Sequence, residues 1–185
     1  ADFIPPEFIA ESLIDYFGAN YNIDLERVYS TGMSNGGFMS YHLACNLSSK
    51  ISAIASVTGS MTNQTYNGCN PIHPTPILQI HGSSDMTVPY WGNSIMKPIP
   101  EVMDYWAQYN ICNLLSVDDF FDSNGDGFTG DFYYYSQCLN NIEVHLWYLE
   151  NFGHSWPSIP GDDIHGAYVI WNFLKRYDID GLINE

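Results

Sequence analysis

The sequence predicts an α/β protein built on a mainly parallel sheet. Two nearly continuous apolar runs, ISAIASVTG at 51–59 and PILQIHG at 76–82, are typical of strands that are covered on both faces. Helical patterns lie before and after these runs, so strands and helices alternate along the chain. With 185 residues and 45% hydrophobic content, the chain fits one domain, 1–185, with a substantial core.

The first two predicted elements are a helix and a strand. Residues 6–17, PEFIAESLIDYF, place Ile9, Leu13 and Phe17 at helical spacing, and a proline stands where the first helical turn tolerates it. RVYSTG at 27–32 is a short β-branched and aromatic run that ends in glycine, which predicts a strand.

The later elements continue the alternation. Apolar spacing predicts helices at 35–47 and 99–110, and EVHLWYLE at 143–150 is typical of a strand. GAYVIWNFLKRY at 166–177 predicts a closing amphipathic helix with basic residues at its C-terminal end.

The charge balance limits the partners. The chain has 21 acidic and 5 basic residues, a formal net charge of -16, which repels nucleic-acid phosphates and anionic membrane surfaces. We therefore expect no nucleic-acid partner and no membrane association.

The four cysteines are Cys45, Cys69, Cys112 and Cys138. No C-x-x-C spacing indicates zinc, and the even number fits either two disulfides or four buried thiols.

A segment beginning at Asp122, DSNGDGFTG, starts like a calcium loop, with Asn124 and Asp126 at the expected spacing. The glutamate expected at the twelfth position is replaced by Tyr133, and Asp, Asn and Gly also form ordinary turns. A turn without metal is the prediction, and calcium binding is the alternative.

The stretch STGMSNGGFMS at 30–40 carries the pattern G-x-S-x-G through Gly32, Ser34 and Gly36. In a chain of this composition the pattern is expected by chance roughly 0.1 times, so the motif alone is suggestive. The predicted strand before it and helix after it match a sharp turn that exposes a nucleophilic serine.

A serine nucleophile needs a histidine to accept its proton and a carboxylate to orient that histidine. Asp85 follows the strand PILQI within HGSSDMTVPY, and His154 follows the strand EVHLWYLE within NFGHSWP. Both lie where strands of a parallel sheet end, which is where ligands bind in such sheets. The order Ser34, Asp85, His154 is that of α/β hydrolases, so this fold is predicted.

Other candidates fit these roles less well. Asp104 falls within a predicted helix, and three further acids fall in polar loops without a clear strand before them: Asp118, Asp119 and Asp122. His81 ends the strand before Asp85, and a structural role, orienting the loop, is predicted for it. The remaining histidines suit structural positions: His42, His73, His145 and His165.

The motifs GMSNGG, HGSSDMTVPY and GHSWP together resemble the polyhydroxybutyrate depolymerase and feruloyl esterase group of α/β hydrolases, over about residues 8 to 177. The resemblance implies the roles of nucleophile, acid and base for Ser34, Asp85 and His154. It also implies the disulfides Cys45–Cys69 and Cys112–Cys138, and an extracellular or periplasmic location.

The resemblance further implies strands that precede the nucleophile strand, which is the first strand found here. The predicted strands would then be the fifth to eighth of eight, a half-sheet of neighbouring strands whose first edge is uncovered or is covered by a second copy in a homo-oligomer. The amide of Asn35 is the expected oxyanion donor, and no second donor is found.

These features predict a serine carboxylic-ester hydrolase that needs no cofactor and works through an acyl-enzyme. Trp156, beside the base, is a candidate for substrate contact, with core packing as the alternative. Short-chain esters or hydroxyalkanoate oligomers are the expected substrates, and feruloyl or acetyl esters of polysaccharides are the alternative. Rival hypotheses are a catalytically incomplete interaction module and a calcium-dependent carbohydrate-binding module.

Overall fold

The computed structural model describes residues 4–120, 122, 125, 129–158 and 162–183. The helices in this part of the chain are α1 Pro6–Asn20, α2 Asn35–Asn46, α3 Asn63–Gly68, α4 Ile99–Tyr109 and α5 Gly166–Leu174. The strands are β1 Tyr29–Met33, β2 Ala53–Val57, β3 Ile77–Gly82, β4 Leu114–Phe120, β5 Gly130–Ser136, β6 Val144–Leu149, β7 Tyr177–Asp178 and β8 Gly181–Leu182.

Within the described residues, six strands form one sheet in the order β1-β2-β3-β6-β5-β4. The first four of these strands are parallel neighbours; β5 then pairs antiparallel with β6, and β4 pairs antiparallel with β5. The register aligns Met33 with Val57, Val57 with Ile80, and Ile80 with Trp147. The carboxyl ends of the parallel strands therefore meet at one edge, and the four predicted strands are neighbours, as expected.

The predicted elements form close to their expected bounds, but β4 and β5 were missed. Asp118 and Asp119, expected in polar loops, lie in β4 opposite Phe132 and Asp131 of β5. β4 ends the sheet and exposes most of its side chains, so its segment LLSVDDF needs no continuous apolar run.

Helices cover both faces of the sheet. One core cluster contains Tyr41 of α2 and Trp106 of α4, both fully buried, together with inward residues of the parallel strands. The other packs α5, through Ile170, Phe173 and Leu174, against the opposite face. The strands β2 and β3 are buried along their whole length, as their apolar runs predict.

The helix α1 packs differently from its predicted face. Ile9, Leu13 and Phe17 remain about half exposed, and the helix instead contacts the core through Ala10 and Ile14. Helical spacing correctly indicated the helix, but both sides of it carry apolar residues, so spacing could not select the packed side.

The four cysteines form the disulfides Cys45–Cys69 and Cys112–Cys138, which confirms the pairing that the resemblance implied. The first ties α2 to the chain after α3, and the second ties the chain after α4 to the chain after β5. None of the helices in the described chain has the length and apolar character needed to cross a membrane.

Candidate active site

Ser34 stands at the turn between β1 and α2, with φ 56° and ψ -117°. Serine seldom adopts a positive φ, and such strain persists where the surroundings enforce it. The amide of Ser34 donates to the carbonyl of Val57 at 2.8 Å, so β2 holds the turn at the carboxyl edge of the sheet. The predicted strand, sharp turn and helix are thus all present.

Two glycines allow this turn to pack tightly. A Cβ on Gly32 would lie 2.8 Å from the Cα of Gly36, and a Cβ on Gly37 would lie 2.5 Å from Ser56 Oγ and 3.0 Å from the Cα of Gly59. A Cβ on Gly36, by contrast, would meet no atom within 4 Å. The turn therefore requires Gly32 and Gly37, and the second glycine of the motif has room for a side chain.

Asp85 is almost fully buried in the loop after β3. Its Oδ1 accepts hydrogen bonds from the amides of Thr87 and Val88, each at 2.8 Å. Its Oδ2 accepts a bond of 2.7 Å from Nδ1 of His154. The carboxylate is held on one side by its own loop and directed at the histidine on the other.

His154 lies in the loop after β6, the strand next to β3. The two loops are fastened together, since the amides of Ser83 and Ser84 donate to the carbonyls of Leu149 and Phe152. A Cβ on Gly82 would lie 2.1 Å from the carbonyl oxygen of Phe152, so only glycine permits this approach. With Nδ1–H donating to Asp85, Nε2 of the partly exposed imidazole is left as an acceptor for a proton.

Asn35 is the first residue of α2. The N–H groups of a first helical turn have no partner within the helix and point along its axis, where they attract negative charge. This placement is the one expected of an oxyanion donor, although its role stays a prediction.

Trp156 is half-buried and packs against the core cluster that contains α5. A Cβ on Gly166 would lie 3.2 Å from its Nε1, so the indole rests on the start of that helix. These contacts agree with the core-packing alternative for Trp156, and its contact with substrate stays a prediction.

Sequence reasoning overlooked two exposed apolar side chains on the loop that carries Asp85. Met86 is 89% exposed and Trp91 is 74% exposed. The turn at Trp91 is ordered, because the amide of Gly92 donates to Pro89 and that of Ile99 to Tyr90. The signal available in the sequence was an apolar residue directly after the acid and an aromatic pair five residues later.

The other acids and histidines have different surroundings. Asp104 is exposed on α4, and Asp118 and Asp119 lie on the sheet's far strand. The remaining histidines make local bonds: His42 to Glu7, His73 to Ser48 and Pro74, His145 to Glu143, and His165 to the amide of Tyr168.

The calcium alternative falls largely outside the described residues, since Asn124 and Asp126 are not among them. Asp122 accepts a bond from the amide of Gly125, and Tyr133 pairs with Val117 and Leu146 inside the sheet. Among the described side chains, no group of three or more His, Cys, Asp or Glu is placed to hold a metal ion.

Known proteins are similar to this chain in sequence and in fold. The chain is 25% identical over 172 residues to a bifunctional acetylxylan esterase/xylanase of Neocallimastix patriciarum, covering 93% of this chain and 23% of that protein. It is 38% identical over 159 residues to feruloyl esterase D of Neurospora crassa, covering 84% of this chain and 50% of that protein. The chain thus spans half or less of the length of these relatives.

A solved structure, the acetyl xylan esterase from Aspergillus awamori, superposes with a TM-score of 0.56 at 16% identity, covering 90% of this chain and 66% of that one. The mostly parallel sheet with flanking helices is the α/β-hydrolase fold. A family model described as phospholipase/carboxylesterase matches residues 9–103. The chain belongs to the phospholipase/carboxylesterase family.

Proposed function

We propose that this chain is a serine-dependent carboxylic-ester hydrolase that works through an acyl-enzyme. The observation that carries the proposal is the 2.7 Å bond between Asp85 and His154, on loops that end at the same sheet edge as the strained turn of Ser34. Family membership supports ester hydrolysis, and the geometry supports these three residues as its agents.

In the proposed reaction, Nε2 of His154 accepts the hydroxyl proton of Ser34 as the oxygen attacks the ester carbonyl. The amide of Asn35 donates to the oxyanion that forms. Asp85 keeps the imidazole in the Nδ1–H tautomer and stabilises its cation. The protonated His154 then gives its proton to the leaving alcohol, and water, activated by the same histidine, releases the acid and restores Ser34.

We further propose feruloyl or acetyl esters of polysaccharides as the first substrate class. The relatives named as feruloyl and acetylxylan esterases support it. Exposed Met86 and Trp91 on the acid's loop offer apolar surface to a sugar or aryl group. Short-chain esters and hydroxyalkanoate oligomers are the second class, which rests on the motif resemblance.

The net charge of -16 favours a neutral ester over a phosphorylated or polyanionic substrate. Two disulfides are typical of an oxidising compartment, so we place the protein outside the cell or in the periplasm. We treat residues 1–185 as one catalytic domain.

The test compares the wild type with Ser34→Ala on methyl ferulate, an aryl acetate and a hydroxybutyrate oligomer. We expect the variant to lose about 10⁴-fold or more in kcat. Ser30→Ala is the control: this serine lies in β1, before the turn of Ser34, and bonds Ser40, so its loss should leave kcat unchanged. A folded wild type that hydrolyses none of these esters and is not labelled by a serine-directed phosphonate contradicts the proposal and favours the interaction module.

A further inference from the structure

A line of buried polar side chains connects the helix of the nucleophile to the loop of the acid. Tyr41 on α2 donates its hydroxyl to Oε1 of Gln79 on β3 at 2.8 Å. Nε2 of Gln79 lies 2.9 Å from Nδ1 of His81, two residues further along the strand. All three side chains are fully buried. Buried polar groups of this kind are costly unless every one of them is paired, so their arrangement is well defined.

The carbonyl groups around this line determine where its protons are. Nε2 of Gln79 also faces the carbonyl of Gly59 at 3.0 Å, and a carbonyl can only accept, so the amide nitrogen of Gln79 is the donor to Nδ1 of His81. Nε2 of His81 lies 2.8 Å from the carbonyl of Val88, so the imidazole proton is on Nε2. The contacts of its two nitrogens with Gln79 and Val88 favour the neutral Nε2–H tautomer of His81, and burial, which lowers its pKa, favours the same form.

In this tautomer His81 donates to Val88, the residue whose amide holds Asp85. Val88 accepts from His81 through its carbonyl and donates to Oδ1 of Asp85 through its amide. Nε2 of His81 is itself 3.7 Å from Oδ2 of Asp85, the oxygen that receives His154. A charged His81 would compete for this oxygen, whereas a neutral one with its proton directed at Val88 leaves the carboxylate to His154.

We propose that Gln79 and His81 are positioning residues of the ester hydrolase: Gln79 holds His81 with its proton on Nε2, and His81 holds the loop that aims Asp85 at His154. Tyr41 anchors Gln79 from the helix that begins at the nucleophile. The inference rests on the proposed function, because it assumes that the orientation of Asp85 towards His154 is needed for ester hydrolysis. The titratable groups facing His81 are Asp85, His154 and the ring of Tyr90.

Two substitutions of His81 separate the two halves of its role. In His81→Gln the amide nitrogen can take the place of imidazole Nε2 and still donate to Val88. In His81→Asn the shorter side chain reaches only the position of Nδ1, so it can pair with Gln79 but not with Val88. Both remove the imidazole from the same buried site; the Asn side chain leaves one methylene more unfilled, so part of its loss of stability, but not a shift of its pH profile, is expected from packing.

We expect His81→Asn to lower kcat about 10- to 100-fold per active site titrated with a phosphonate, with KM changed by less than about threefold. We expect the acidic limb of its kcat/KM profile to move to lower pH, since a misaimed Asp85 stabilises the His154 cation less. The kcat of His81→Gln should stay within about threefold of the wild-type value, and the acidic limb of its kcat/KM profile should lie at the wild-type pH.

The matched control is Asn110→Ala. Asn110 is also fully buried, and it bonds both backbone groups of Thr75, at the other end of β3 from the site. This variant should lower the melting temperature without changing kcat per active site or the acidic limb.

Equal kinetics of His81→Asn and the wild type overturn the inference, as does an equal loss in His81→Asn and His81→Gln. If the Asn variant does not fold, ¹⁵N NMR of the wild-type imidazole decides: the neutral Nε2–H form of His81 between about pH 5 and pH 8 supports the inference, and an Nδ1–H form or a cation overturns it. An active wild type with an inactive Ser34→Ala variant shows that any such failure concerns the positioning role alone.

Discussion

At the scale of single residues, the glycines in and beside the G-x-S-x-G pattern differ in how much room each has for a side chain. Gly32 is pressed against the backbone of Gly36, and Gly37, which lies outside the pattern, is pressed against Ser56 and Gly59. The motif located the turn of the proposed nucleophile, Ser34, but the glycine that lets α2 approach β2 was visible only in the packing.

The glycine contacts predict opposite effects for two neighbouring substitutions. Gly37→Ala should destabilise the fold by about 1 to 3 kcal/mol, because its Cβ has no room beside Ser56 Oγ and the backbone of Gly59. Gly36→Ala should be neutral or stabilise by up to about 1 kcal/mol, because the site is open and lies in a helix. Denaturant unfolding of both variants measures the difference, and equal stability would show that the close approach is not needed.

Asp85→Asn tests the orientation of the base. An asparagine can still accept from Thr87 and Val88 through Oδ1, but its NH₂ group then faces Nδ1 of His154 and favours the wrong tautomer. We expect kcat to fall about 10⁴-fold with little change in melting temperature. Steady-state kinetics and thermal unfolding of the same preparation check both halves; a loss of less than about tenfold would remove Asp85 from the proposed mechanism.

At the scale of elements, a second buried cluster joins the start of β6 to the end of α5. Glu143, immediately before β6, accepts from Arg176, Tyr134, Tyr177 and His145. Burial alone would raise the pKa of the Glu143 carboxyl, but the bonds from His145, Arg176 and Tyr134 outweigh it and hold the pKa below its usual range. This cluster lies away from the catalytic edge and serves to lock the last helix onto the sheet.

The lowered pKa of Glu143 makes a stability prediction with a definite sign. Its contribution is fully present above the unfolded pKa of about 4.5 and is lost as the pH falls through the lower folded value. Burial lowers the pKa of His145 also, so acidification below about pH 6.5 destabilises through that residue first.

Glu143→Gln should therefore lose about 1.5 to 3 kcal/mol at pH 7, and its unfolding free energy should fall less than that of the wild type between about pH 4.5 and pH 3. Calorimetry at these pH values measures it. Glu101→Gln, which removes the charge of a partly exposed pair with Lys97, is the control and should change less than Glu143→Gln. A parallel pH dependence in wild type and Glu143→Gln would contradict the assignment.

The element scale also shows where sequence patterns were sufficient. Apolar runs located β2 and β3 because strands buried on both faces leave a continuous local signal. The strands β4 and β5 escaped because an antiparallel extension with an exposed outer strand needs no such run. Spacing indicated α1 but not its packed side, which depends on the neighbouring helix α2.

At the scale of the whole molecule, two surfaces are unusually apolar or unpaired. In the described part of the chain β1 ends the sheet, and its residues are at least partly exposed, unlike those of β2. The helix α1 exposes Ile9, Leu13 and Phe17. Unpaired strand edges and contiguous apolar surface both favour association.

We expect this chain to self-associate, with a second copy covering these surfaces. Sedimentation velocity across a concentration series should show a dimer or larger species. Thr31→Pro, at the exposed residue of the edge strand, should weaken self-association if the backbone of β1 pairs with the second copy. Leu13→Lys should weaken self-association if α1 contributes. A strictly monomeric chain at high concentration contradicts the prediction.

The sequence by itself determined the α/β class, the segments that form the four parallel strands, and the three residues of the proposed triad. These follow from local patterns: apolar runs, helical spacing, and polar residues placed directly after strands. Only the tertiary structure decided the bond from His154 to Asp85, the contacts of His81 with Gln79 and Val88, and the packed side of α1. Each of these is a contact between segments that are far apart in the chain. The sheet order and the packing bring such segments together, and no local sequence pattern predicts the contact.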